Sequence, residues 1–215
     1  MISRQDMDVF IKRAQKIAAA KKIYLLIGVG VMDSKLKEKG ENTAIFIDPA
    51  GEIKWKHVKS YIVPILEEPF FKKGDFKIPV LDTPYGKIAS VICFEYDHHH
   101  YIRSAGKGIA LFLVPALDGK TLTPVHSHMA VFRGIENGYS VLKPTGEGLS
   151  IAADYCGRII AKQNYVTSKE RIMLADMPVK SVFTIYSIIG DVFAWACVAG
   201  LIALIIVAII RRKRG

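Results

Sequence analysis

The sequence predicts a layered α/β domain followed by one apolar helix at its C-terminal end. Short β-branched runs alternate with segments of helical period as far as about Asp176, and strands outnumber helices while interleaving with them. From Val192 to Ile210, 19 consecutive residues carry no charge, and the run ends directly against Arg211-Arg212-Lys213-Arg214. At 215 residues the chain is long enough for one sizeable core plus an appendage.

The elements follow in order. Ser3 with Asp6 forms a capping box ahead of Met7, Phe10, Ile11, Ala14, Ile17 and Ala18, which recur at helical spacing. Ile23 to Val31 is a buried strand, with Gly28 and Gly30 marking close packing rather than a phosphate loop, since no third glycine and no helix follow. Lys35 to Glu41 reads as a charged loop, and Thr43–Asp48 and Glu52–His57 form a hairpin around Pro49-Ala50-Gly51. Pro64 to Pro79 has little periodicity and reads as a loop. After the turn Thr83-Pro84-Tyr85-Gly86, a strand runs from Lys87 to Glu95 with Cys93 near its end. A short helix over His98–Ser104, a strand Ile109–Pro115 and a helix from about Pro124 to Gly138 come next. Strands at Ser140–Lys143, Leu149–Asp154 and Arg158–Gln163 complete the domain.

The charge-free span is long enough to cross a bilayer as a helix and is apolar on every face, unlike an amphipathic core helix. Trp195 sits where an interfacial anchor belongs, at the end away from the basic cluster. Positive residues favour the cytoplasmic side, which puts the globular part outside the cytoplasm, in the cell membrane's extracytoplasmic space. Met1 to Lys22 is amphipathic and lacks the apolar core of a signal peptide, so the reading expects membrane segments upstream of this chain. The net charge of +10 draws four of its 30 basic residues from the tail, and no basic face with interleaved aromatics is visible, which argues against a nucleic-acid partner. Three widely spaced cysteines, Cys93, Cys156 and Cys197, form no C-x-x-C pair, so neither a zinc site nor a disulfide framework is indicated. The expected boundaries are 1–178 for the domain, 179–191 for a membrane-proximal connector, 192–210 for the transmembrane helix and 211–215 for a basic tail.

Two residues carry the chemistry. Cys93 ends an apolar run and opens into Glu95, Asp97, His98, His99 and His100, where a helix N-terminus would favour a thiolate. Lys59 follows the hairpin and precedes Tyr61-Ile62-Val63-Pro64, with Glu67 and Glu68 close enough to hold its ammonium in place. Sulfur, ammonium and carboxylate together compose an acyl-transfer site. Taken singly, each has a bland alternative: free cysteines are commonly inert core residues, and Lys54, Lys56 and Lys59 could all be solvated. The tandem histidines are read as a poor metal site because adjacent side chains on a helix diverge.

These segments resemble the nitrilase, or carbon–nitrogen hydrolase, superfamily. The matching pieces are Lys59-Ser60-Tyr61-Ile62-Val63-Pro64, Val91-Ile92-Cys93-Phe94-Glu95, Arg133-Gly134-Ile135-Glu136-Asn137-Gly138 and Gly148-Leu149-Ser150 through Asp154-Tyr155-Cys156-Gly157. The Val63-Pro64-Ile65-Leu66-Glu67 element and the tail from Thr184 to Trp195 are similar to the apolipoprotein N-acyltransferases within that superfamily. The resemblance implies an α-β-β-α sandwich, N-terminally incomplete here, with Cys93 as nucleophile and Lys59 stabilising the oxyanion. Glu67 would be the supporting loop glutamate and Glu95 a carboxylate supporting the nucleophile. It implies transfer of an acyl group from a phospholipid donor to the cysteine as a thioester, then to the N-terminal amine of a lipoprotein acceptor, with no cofactor or metal. The superfamily's base glutamate belongs in a Pro-Glu motif before the first helix. No such motif precedes Lys59, so the chain alone is expected to turn over little. An amidase of the same superfamily and an inactive membrane-bound binding module are the competing readings.

Overall fold

In a computed structural model, residues 2–32, 38–119 and 124–214 are described. Strand β1 (Ile2–Ser3) leads into helix α1 (Arg4–Lys21), whose N-cap Ser3 accepts a hydrogen bond from the Asp6 amide, as the capping signature predicts. Strands β2 (Leu25–Met32), β3 (Glu41–Ile47) and β4 (Ile53–Val58) then form an antiparallel meander, with β1 parallel to the end of β2. The expected charged loop falls partly outside the described residues, at Lys35 and Lys37, and its last residue, Glu41, already belongs to β3.

Every residue from Thr43 to Ile47 is buried, which requires cover on both faces of the sheet. Ile45 and Ile47 pack with Met7, Ala14 and Ala18 of α1. On the opposite face Phe46 stacks on Trp55 at 5.1 Å between ring centroids. That inner face meets a second sheet, and the approach is close at Gly28, where a Cβ would lie 3.1 Å from Pro115 Cβ. Gly28 is thus a packing residue, as the sequence suggested.

The second sheet holds β5 (Val80–Thr83), β6 (Gly86–Ser90), β7 (Ile109–Leu113), β9 (Ser140–Lys143), β11 (Leu149–Ala153) and β12 (Ile159–Asn164) in the order β12-β11-β9-β7-β6-β5. The short strands β8 (Ala116–Leu117) and β10 (Thr145–Gly146) pair beside it. Its centre, β6-β7-β9, is parallel, so each crossover carries a helix: α2 (His99–Arg103) and α3 (Val125–Asn137). Phe112, Val141 and Ile151 pack with Ile102 of α2 and Ala130 and Val131 of α3. The result is four layers, helix, sheet, sheet, helix.

One expected strand ends early. The run from Lys87 to Glu95 is extended only to Ser90, and Cys93 to Asp97 form a 3₁₀ turn entered through a Cys93 φ of +50°. After β12 the chain returns along α3. The Val182 amide donates to the Gly138 carbonyl at 2.8 Å, and Thr184 Oγ1 donates to the Glu136 carbonyl. Gly138 has φ +74°, and a Cβ there would run into the Val182 carbonyl, so the glycine ending the Arg133–Gly138 motif serves this crossing.

Helix α4 (Ile185–Ile189) precedes α5 (Val192–Arg214). Within α5, Val192–Lys213 contains an 18-residue window of mean hydropathy 2.9, none of it buried against the domain, so this segment is long and apolar enough to cross a membrane. Its 22 residues span about 33 Å at 1.5 Å per residue. The basic tail expected as a separate element instead continues the helix through Arg214. Lysine and arginine are good helix formers and favour the negative end of the helix dipole, so nothing stops the helix at Ile210.

Candidate active site

Lys59 leaves β4 into the inner layer and is only 1% exposed, which removes it from the class of solvated surface lysines. Its amide donates to the Asn42 carbonyl at 2.8 Å, and its ammonium donates to Glu67 Oε2 at 2.6 Å. The same Glu67 oxygen accepts from the Val63 amide at 2.7 Å, and Oε1 accepts from Asn42 Nδ2 at 3.1 Å. One carboxylate therefore orients the lysine and folds its own loop. Glu68, the other rim carboxylate considered, is exposed.

Cys93 sits on the turn after β6, its amide donating to the Pro115 carbonyl at 3.0 Å. Glu95 is fully buried behind it. Its carboxylate accepts from the Ile92 amide at 2.7 Å and the Ser60 amide at 2.6 Å, and lies 2.9 Å from His57 Nε2. The residue after the lysine and the residue before the cysteine thus share one acceptor, which fixes the two sheets' functional ends against each other. His57, 3% exposed, completes this joint and was not singled out from the sequence.

A second group escaped the sequence reading altogether. Asp118 Oδ1 lies 3.7 Å from Cys93 Sγ, and its other oxygen pairs with the buried Lys143. His126 Nδ1 is 3.6 Å from Asp118, and its Nε2 is 3.4 Å from Asp97 Oδ2. The one signal available was a lysine in an otherwise apolar strand, Ser140-Val141-Leu142-Lys143. Burial pushes the Asp97 carboxyl up.

The expected helix-end effect on the thiol is overturned. Burial pushes the Cys93 thiol above its ordinary range, the Lys59 charge opposes that rise, and the Asp118 charge adds to it. A single 3₁₀ turn supplies too few aligned peptides to reverse the loss of water. Alkylation of Cys93 by iodoacetamide should therefore rise with pH along a curve displaced to higher pH than that of a free small-molecule thiol. Asp118→Asn should move the curve to lower pH and Lys59→Met to higher pH. A curve indistinguishable from that of the free thiol would contradict this assignment of charges.

Cys93 opens into a cavity of about 460 Å³ whose lining is mainly apolar, including Val29, Val63, Leu66, Phe71, Pro115 and Leu117. Leu66 at its lip is 72% exposed, and the adjacent Ile65 is 84% exposed. Cys156 is exposed on the turn after β11 and Cys197 is exposed on α5, both remote from this cavity's lining.

This four-layer fold brings a cysteine and a buried lysine to the facing ends of its sheets. Residues 7–184 match the carbon-nitrogen hydrolase family, and the chain belongs to it. Among relatives, an apolipoprotein N-acyltransferase of Geobacter metallireducens is 27% identical over 98% of this chain and 44% of its own length. Nitrilase 2 of Arabidopsis thaliana is 34% identical over 51% of this chain and 32% of its own. The chain thus spans less than half the length of these two relatives. An amidase from Nesterenkonia sp. shares the fold with a TM-score of 0.71 at 22% identity, over 84% of this chain and 70% of that one.

Proposed function

We propose that the domain is a membrane-anchored, thiol-dependent acyltransferase of the apolipoprotein N-acyltransferase kind. The observation that carries this is the setting of Cys93: an apolar cavity with an exposed apolar lip, in a chain that ends in a helix suited to a bilayer. The likeness to the Geobacter protein runs through that helix, whereas the likeness to the plant nitrilase covers half of the chain. Cys93 is the nucleophile, Lys59 stabilises the oxyanion, and Glu67 and Glu95 hold the two in register.

In the first step the Cys93 sulfur bonds to the ester carbonyl of a phospholipid, and the carbon–oxygen bond to the lysophospholipid breaks. Asp118 is the carboxylate in contact with the sulfur, placed to take the thiol proton and return it to the leaving oxygen. In the second step an N-terminal amine of a lipoprotein attacks the thioester, and Cys93 leaves as thiol once the amine proton has passed to it. Apolar walls suit this sequence because they keep water from competing with the amine.

The test is product identity. Detergent-solubilised protein given phospholipid with a labelled acyl chain should acquire label on Cys93 and pass it to an amine-bearing lipopeptide, at the low rate expected without the Pro-Glu carboxylate. Ammonia release from simple amides with no lipid labelling would favour the amidase reading, which the nitrilase and amidase likenesses support.

The basic end of α5 supports an orientation with Arg211 to Arg214 in the cytoplasm and Cys93 on the opposite side. A Glu52→Cys variant, exposed on the hairpin turn, should react with a membrane-impermeant maleimide in intact cells. Reaction only after the membrane is opened would reverse the orientation.

A further inference from the structure

The histidine pair and the start of the apolar helix meet in an unexpected way. Adjacent side chains at a helix start were expected to diverge, yet His99 and His100 place their ring centroids 4.0 Å apart and both turn toward Asp191. His99 Nε2 lies 3.0 Å and His100 Nε2 3.8 Å from the same Asp191 oxygen, and the three ligand atoms fall within 4.8 Å of one another. Tetrahedral coordination with bonds near 2.0–2.1 Å sets ligand atoms about 3.3 Å apart. Two of the three separations already bracket that value, and the third closes by small rotations of half-exposed side chains.

The rest of the surroundings fit a metal site. Tyr186 donates to the other Asp191 oxygen at 3.0 Å, which fixes the carboxylate and leaves Oδ2 facing the rings. His98 takes no part, because its ring is stacked on Tyr61 at 3.8 Å. Arg103 lies over Gly190 beside the cluster and is a positive neighbour that works against a cation.

We propose that His99, His100 and Asp191 form a binding site for a borderline divalent transition cation, tested here as Zn²⁺, with the remaining position left to water. The ligands come from α2, directly after the turn bearing Cys93, and from the residue preceding α5. A bound ion would therefore clasp the apolar helix to the segment that carries the thiol. This site is separate from the Cys93 cavity, so the inference stands whether or not the acyltransferase reading holds.

Titration calorimetry on tag-free, full-length protein in detergent should show one Zn²⁺ per chain, and Co²⁺ should give visible bands of nitrogen and oxygen ligation without thiolate charge transfer. Asp191→Asn and His99→Ala should each weaken Zn²⁺ binding about tenfold or more. His100→Gln, at a side chain 74% exposed and so unable to disturb the fold, should do the same. His128→Ala, at an exposed position elsewhere, should change nothing. Absence of stoichiometric binding to the unmutated chain would overturn the proposal, as would affinity unchanged in both Asp191→Asn and His100→Gln.

Discussion

Cys93→Ala is expected to abolish the hydroxylamine-labile acyl group while leaving the protein folded. No other atom at the site can carry a thioester. The side chain is small, and its removal forfeits two long sulfur contacts, to Leu117 and Asp118, so stability should change by about 1 kcal/mol. Cys156→Ala and Cys197→Ala should keep the acyl group, since both cysteines are exposed and lie away from the cavity. Mass spectrometry locating the acyl group on Cys156 would overturn the assignment.

Glu95→Ala should do the opposite, damaging the fold and the site together. It strands the buried Ser60 and Ile92 amides and removes the partner of His57. Breaking such a joint costs about 3–5 kcal/mol, or roughly 6–20 °C in Tm at 2–4 °C per kcal/mol for a domain of this size. Glu95→Gln should fall between, because its amide group must face one of the two N–H donors with a donor of its own. The measurements are thermal melting and Cys93 alkylation at constant pH. Unchanged melting in Glu95→Ala would show that the carboxylate does not hold the two sheet ends together.

The strands around the site were legible because their β-branched runs are short and well bounded. The fold's layering followed from that alternation, and β9 lies where the pattern placed it. The turn at Cys93 was not legible from local pattern, because Val91, Ile92 and Phe94 all favour extension. What bends the chain is Glu95 reaching the Ser60 amide, 35 residues away, and the His57 imidazole beside it. Lys59 and Cys93 stood out from their local pattern, with Glu67 and Glu95 close by, and resemblance supplied their roles; the structure gathers the four at the facing ends of the two sheets. Asp118, Lys143 and His57 had no such help, since each acquires its meaning from a partner at least 25 residues distant in sequence. The thiol's direction of titration failed for a related reason: burial is a property of the assembled layers, invisible in the residues that flank Cys93.

Glu67 has an evolutionary corollary. Because a single carboxylate steadies Lys59, tethers Asn42 and closes the loop bearing Leu66, a drifting lineage has no separate dial for reactivity and for what enters the cavity. Changes at this position would alter both traits at once. Diversification of substrate choice should therefore accumulate at Ile65, Leu66 and Phe70, whose side chains lie on the same loop and stand largely free of that knot.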